Sequence, residues 1–266
     1  MSAATEPMEL AGLFDVRDKV VLVTGGSRGI GRAIAEGLVR AGARVYIGGR
    51  NVERCTEAAA ELSAFGTCLP LPGELNDAAT AQALAASFSQ QESRLDVLIN
   101  NAGSIWAAPI DEYPESGWDK VFDINVKSVF FLIQALLPLL RAAASVEEPA
   151  RIINVGSIQG FALSPHETYA YSSSKAAVHH LTKVLADRLI RENITVNAIA
   201  PGIYPSKMVA GTVERDGADS VVGRVPMGRL GKPTDLAGAA VFLSSPCSSY
   251  VTGTVLPVDG GVGTLH

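Results

Sequence analysis

Along this chain, short and almost uninterrupted apolar runs alternate with longer segments in which apolar residues recur every three or four positions. The short runs are "KVVLVT" (Lys19–Thr24), "ARVYIG" (Ala43–Gly48), "TCLPL" (Thr67–Leu71), "LDVLIN" (Leu95–Asn100), "ARIINV" (Ala150–Val155), "ITVNAI" (Ile194–Ile199) and "GTVLPV" (Gly253–Val258). Rich in Val and Ile and without polar alternation, they read as strands covered on both faces. Between them, "GRAIAEGLVRAG", "AATAQALAASFSQ", "KSVFFLIQALLPLL" and "KAAVHHLTKVLADRLI" carry helical spacing. Repeated strand–helix units with right-handed crossovers predict an α/β fold: one doubly wound, seven-stranded parallel sheet with helices on both faces. Residues 1–17 are expected to form an N-terminal extension and residues 18–266 a single domain. The stretch of about 202–233 has Pro, Gly and charge but weak periodicity, so it reads either as a substrate lid or as a tolerated surface insertion.

Composition narrows the class. With 47% hydrophobic and 18% charged residues the chain can bury a core, and a net charge of −5 argues against a nucleic-acid binder. No uninterrupted apolar run reaches the about eighteen residues of a membrane span, and "MSAATEPMELAG" does not read as a secretory signal. Three scattered cysteines suit free thiols in a reducing compartment. No Cys/His cluster has metal-ligand spacing. A soluble cytoplasmic protein without a metal is expected.

"TGGSRGIG" (Thr24–Gly31) follows the first strand and opens the first helix. Its glycines allow a tight turn and close approach of a pyrophosphate to the helix N-terminus, where free N–H groups favour anions. The spacing Gly25-x3-Gly29-x-Gly31 differs from G-x-G-x-x-G, and the lack of Lys-Ser/Thr after it excludes a nucleotide-triphosphate P-loop. The second strand ends in "IGGRN", with Gly48 and Gly49 where an NAD-type fold often carries an acid. Arg50 follows, and Arg28 lies in the glycine loop. Two guanidinium groups without a carboxylate describe a 2′-phosphate pocket, hence NADP(H) as cofactor, against the plainer reading of two solvated arginines.

In "YAYSSSKAAVHH", Tyr171 and Lys175 share a helix face one turn apart, whereas Tyr169 points elsewhere and lies at or before the helix start. A free phenol titrates near ~10. A neighbouring ammonium is expected to bring it towards the working range. "GSIQG" is not a hydrolase elbow, since Gly156 directly precedes Ser157 and no well-placed His and acid follow. His179 and His180 read as structural or surface residues, and Ser172, Ser173 and Ser174 as small residues packing near the cofactor. Trp106 and Trp118 line either a substrate pocket or the core.

Taken with "NNAG" (Asn100–Gly103), "FDINV", "NVGSIQG", "APG" (Ala200–Gly202) and "GTVLPVDGG", these motifs resemble the short-chain dehydrogenase/reductase family from about Asp18 to Gly261. The resemblance implies a single-domain Rossmann fold and a tetrad. Tyr171 is the proton donor in reduction and the base in oxidation. Lys175 lowers its pKa and holds the nicotinamide ribose. Ser157 hydrogen-bonds the substrate oxygen, and Asn125 supports a proton-relaying water. It also places Gly25, Ser27, Arg28, Gly29, Ile30, Gly31 and Arg50 at the phosphates, and Asn101, Ala102 and Gly103 along the cofactor. Pro201, Gly202, Ile203 and Ser206 fall at the carboxamide, where the family usually has Thr in place of Ser206. Glu74 and Leu75 stand where relatives carry Asp and an apolar residue at the adenine.

"SGWDKV", "LLPLLRAAAS", "APGIYPSKM" and "PMGRLGKP" are similar to 3-oxoacyl-[acyl-carrier-protein] reductases, particularly the branch associated with rhamnolipid synthesis. This implies NADPH-dependent reduction of a 3-oxoacyl thioester, carried on acyl carrier protein or coenzyme A. Lys207, Arg224, Arg229 and Lys232 are then candidates for an acidic carrier's docking patch, or ordinary solvated charges. The alternatives are oxidation of a polyol, sugar or steroid alcohol, or an NADP(H)-sensing regulator without turnover. Family members form tetramers through the helices around Asn125–Leu140 and Tyr171–Ile190, and a homotetramer is expected.

Overall fold

In the computed structural model, described for residues 12–164, 166–205, 211, 214 and 217–265, all seven expected strands form. They are β1 (Val20–Val23), β2 (Arg44–Gly49), β3 (Cys68–Pro72), β4 (Val97–Asn100), β5 (Ala150–Val155), β6 (Ile194–Pro201) and β7 (Val255–Val258). Every pairing is parallel, in the order β3-β2-β1-β4-β5-β6-β7. The order reverses between β1 and β4, and the carboxyl ends of those strands open the crevice where such sheets bind ligands.

The continuous apolar runs are explained by packing on both sides. Val21, Val23, Val45, Ile47, Val97 and Ile99 join one buried cluster, with Ile34 and Leu38 of α1 (Gly29–Arg40), Leu62 of α2 (Val52–Leu62) and Leu236 and Leu243. The intervening Leu22, Tyr46 and Leu98 point to the opposite cluster. There they meet Leu84 and Phe88 of α3 (Ala78–Ser89), and Leu132 and Leu136 of a further helix. Alternate side chains thus serve different layers, as strand geometry requires.

Further helices among the described residues are α4 (Glu115–Phe122), α5 (Ser128–Ala143), α6 (Tyr169–Leu189), α7 (Ala218–Gly223) and α8 (Pro233–Ser244). Glu115–Ala143 is long and apolar enough to pass a length-and-composition test for a membrane span. Yet Val129, Leu132, Ile133, Leu136 and Leu140 are buried in the sheet's own core, which accounts for much of its apolar character.

The expected boundary after residue 17 falls inside the packed body. Val16 is fully buried in the first cluster and the carbonyl of Leu13 accepts from the Cys247 amide, so residues 13–17 belong to the domain. Cys55, Cys68 and Cys247 are free thiols, and no metal-ligating cluster occurs among the described residues.

Candidate active site

The glycine turn is tied to both neighbouring strands. The Gly26 amide donates to Gly48 O at 3.1 Å. Asn101 Nδ2 donates to Thr24 O at 2.9 Å and Gly25 O at 3.2 Å, while the Asn101 and Ala102 amides both donate to Thr24 Oγ1 at 3.0 Å. Asn101 therefore braces the loop rather than only lying along a ligand. The brace demands glycine: a Cβ on Gly31 would sit 2.3 Å from Asn101 Nδ2. Gly29, at φ +55°, has open space around it, and no side chain caps the N-terminus of α1. Exposed backbone with an uncapped first turn at the switch point fits a dinucleotide pyrophosphate.

Arg28 is the exposed N-cap of α1, with Ser27 and Ile30 half-buried beside it. Arg50 is exposed just past β2. A Cβ on Gly49 would lie 2.8 Å from the buried Cys55 Sγ, so the site where an NAD-type acid would stand is already filled. On the far side, the Gly73 amide donates to Gly49 O. Glu74 follows exposed, and Leu75 packs against the core.

The four expected catalytic residues meet at the ends of β4 and β5. A π-turn, Asp123–Lys127, interrupts the passage from α4 to α5 and carries buried Asn125, as such turns do at functional sites. Both amide protons of Asn125 are used, on Ser104 O at 3.0 Å and Ser174 Oγ at 2.9 Å, and its Oδ1 accepts from the Ser104 amide. Ser174 Oγ donates to Tyr171 O at 2.7 Å, so it couples Asn125 to the helix rather than merely being small. Lys175 is buried, and its Nζ donates to Val155 O at 2.7 Å and stands 5.5 Å from the Tyr171 ring centre. Gly103 completes the contact: a Cβ there would be 3.9 Å from that Nζ.

Electrostatics here differ from the expectation drawn from charge alone. Burial pushes the Tyr171 phenol up, and only its hydrogen bond with the Ser157 hydroxyl pulls it back. Burial also lowers Lys175 from 10.5 to about 8. Desolvation thus outweighs the opposing influence of the Ser157 hydrogen bond. At neutral pH the pair is a neutral phenol beside a largely protonated amine, the protonation state a proton donor needs.

Pro201 ends β6 and Gly202 packs against Asp259 of the β7 exit. Ile203 lines a cavity of ≈ 670 Å³ with Tyr204, Met227, Val258 and Gly261. Ser206 and Lys207 lie outside the described residues. In the stretch of about 202–233, Arg229 pairs bidentately with Asp235, at 2.7 and 3.2 Å, so it is not free to meet a carrier. Lys232 is exposed and Arg224 has partners within the protein. Trp106 lies flat against Gly117, while Trp118 lines a separate cavity of ≈ 450 Å³ with Tyr113 and Tyr169, outside the tetrad.

His180 is exposed, but His179 is buried against the serine turn, closer than the sequence suggested. Its Nε2 accepts from the Ser157 backbone amide at 3.4 Å, not from the hydroxyl, so no hydrolase triad forms. Thr24, Ser104, Ser174 and His179 escaped sequence reasoning as site residues. Only Thr24 carried a signal, a hydroxyl closing an apolar strand.

A family model described as enoyl-(acyl carrier protein) reductase matches residues 25–263. The rhamnolipids biosynthesis 3-oxoacyl-[acyl-carrier-protein] reductase of Pseudomonas aeruginosa is 48% identical over 251 residues, covering 93% of this chain and 97% of that protein. The solved active-site complex of Pseudomonas aeruginosa RhlG with NADP superposes with a TM-score of 0.92 at 46% identity, covering 96% of this chain and all of that one. Gluconate 5-dehydrogenase of Gluconobacter oxydans is 37% identical over 258 residues, covering 94% of this chain and 96% of that protein.

Proposed function

The chain belongs to the short-chain dehydrogenase/reductase family, and from that membership we propose that it reduces a 3-oxoacyl thioester to the 3-hydroxyacyl product with NADPH. The observation that carries the reading is the meeting of Tyr171, Lys175, Ser157 and Asn125 at one place, with Lys175 Nζ 5.5 Å from the Tyr171 ring centre and Asn125 bonded to Ser174 of the same helix. The direction follows from the similarity to a 3-oxoacyl reductase. The thioester follows from the similarity to the rhamnolipid-pathway reductase, and NADPH from the two exposed arginines, the filled Gly49 site and the NADP held by the solved relative.

When bound, the reduced nicotinamide supplies the hydride. Glycines 25, 29 and 31 with Ser27 and Ile30 would hold the pyrophosphate, and Arg28 and Arg50 the 2′-phosphate. Glu74 and Leu75 would hold the adenine, and Asn101, Ala102 and Gly103 the ribose. Pro201, Gly202 and Ile203 would hold the carboxamide. Ser157 donates to the ketone oxygen as charge develops there. Tyr171 then passes its phenolic proton to that oxygen. Lys175 stabilises the phenolate left behind and reprotonates it. Asn125, held by Ser104 and Ser174, would support the relay water.

The assay is NADPH and NADH oxidation with 3-oxoacyl thioesters of increasing length, on carrier protein and on coenzyme A, against gluconate oxidation with NADP+. The 37% identity to a gluconate 5-dehydrogenase favours the sugar-acid reading as runner-up. Turnover of gluconate with no thioester reduction would select it. A regulator would bind NADPH and turn over neither. Exposed Trp118 on α4, Phe130 on α5, Val184 on α6 and Ile190 just past its end support a homotetramer. Three free thiols support a cytoplasmic location.

A further inference from the structure

Tyr171, Lys175 and His179 occupy successive turns on one face of α6. The first two belong to the proposed chemistry; His179 has no role in it. Its surroundings are nonetheless specific. The imidazole is 7% exposed and enters the turn between β5 and the short 3-10 segment Ile158–Gly160. Two glycines make the slot: a Cβ on Gly156 would lie 2.2 Å from Nε2, and one on Gly160 2.5 Å from Cε1. The Phe161 ring stands 5.6 Å away. Between the glycines, the Ser157 amide donates to Nε2 at 3.4 Å. Only a neutral ring protonated on Nδ1 accepts that bond. Burial first, then the cations of Lys175 and Lys183, keep it neutral, with its pKa lowered to about 4.

We propose that His179 is a positioning residue for the reaction: its imidazole, seated between Gly156 and Gly160, fixes the backbone of Ser157 so that the serine hydroxyl faces Tyr171 and the substrate oxygen. The inference rests on the reading of Ser157 as the donor to that oxygen. The turn contributes one further fixed point, the Gln159 amide donating to Ser157 Oγ at 3.2 Å. With the backbone released, the hydroxyl loses its register with the phenol. A misplacement of this kind costs turnover rather than cofactor affinity.

The test is a double-mutant cycle with the substrate that the thioester-versus-gluconate assay selects. His179→Leu removes the acceptor at similar volume, and His179→Gln replaces Nε2 by an oxygen at the same reach. The expected result is a fall in kcat of about tenfold or more for the Leu variant. NADPH affinity by fluorescence titration should stay unchanged, and Gln should restore most of the rate. In a Ser157→Ala background the same Leu substitution should cost under about twofold, because coupled residues are non-additive. A purely structural histidine would lower the melting temperature and the rate equally in both backgrounds, and that outcome overturns the proposal. Ser157→Ala with full activity overturns the reading of Ser157 itself, and the proposal with it. If the Leu variant does not fold, nitrogen-15 spectra of the wild-type imidazoles at about pH 7 decide. A proton on Nδ1 of His179 supports the assignment; a proton on Nε2 overturns it.

Discussion

Lowering the pH from neutrality towards about 4 should destabilise this protein at one identifiable place. His179 is folded into the serine turn with its pKa taken from 6.5 to about 4, by burial and then by Lys175 and Lys183. In the unfolded chain the same imidazole accepts a proton near its ordinary value. Between about 6.5 and about 4 the unfolded state therefore binds more protons than the folded one, and stability falls as pH falls. The difference between those two values corresponds to about 3 kcal/mol at 1.36 kcal/mol per pH unit. The stabilisation is present above the unfolded value and gone below the folded one. Carboxylates also lose their ion pairs in this range: Glu148 and Asp235 have lowered pKa values, with Lys19, Arg151 and Arg229 as partners. A comparison with His179→Gln removes them, because both proteins share them. Urea unfolding of the two at constant salt, from about pH 7 to about pH 4, should show the wild type losing about 3 kcal/mol more than the variant. Parallel curves would refute a buried neutral imidazole.

Further expectations concern the cofactor and the lysine. Arg50→Ala should weaken NADPH by about ten- to a hundredfold, the value of one charge-assisted hydrogen bond, and leave NADH unchanged; equal losses for both would remove the 2′-phosphate role. Asn101→Ala, which frees the glycine loop from β4, should weaken both dinucleotides by about tenfold. Ketone reduction should have a basic limb near pH 8, where Lys175 discharges. A limb near the ordinary lysine value, in kcat measured against pH, would contradict the buried amine.

The sheet was legible because the central Val/Ile runs of β1, β4, β5 and β6 are buried on both faces, and the strands deviate only at their ends. β7 starts two residues late since Gly253 sits at φ +73°, outside strand geometry. β6 runs on to Pro201, which pairs with Val258. The tetrad and glycine loop were legible because their residue types and order are themselves the signal. The rest depends on tertiary approach. Periodicity does not reveal the extra residue of the π-turn at Asn125, and nothing local to "AAVHHL" indicates that Gly156 and Gly160 leave a slot for one histidine and not its neighbour. Nor does the weak pattern of residues 202–233 reveal that Arg229 is committed to Asp235. The phenol's upward shift follows from burial, and a helical spacing to a lysine carries no information about burial.

The proposed chemistry depends on the Tyr171 phenol delivering the proton. Tyr171→Phe removes the hydroxyl and keeps the ring. Measured as NADPH oxidation with a 3-oxoacyl thioester, beside NADPH binding by fluorescence, the variant should bind cofactor as the wild type does and lose about 10²–10⁴-fold in kcat. Unchanged turnover with intact binding would contradict the account.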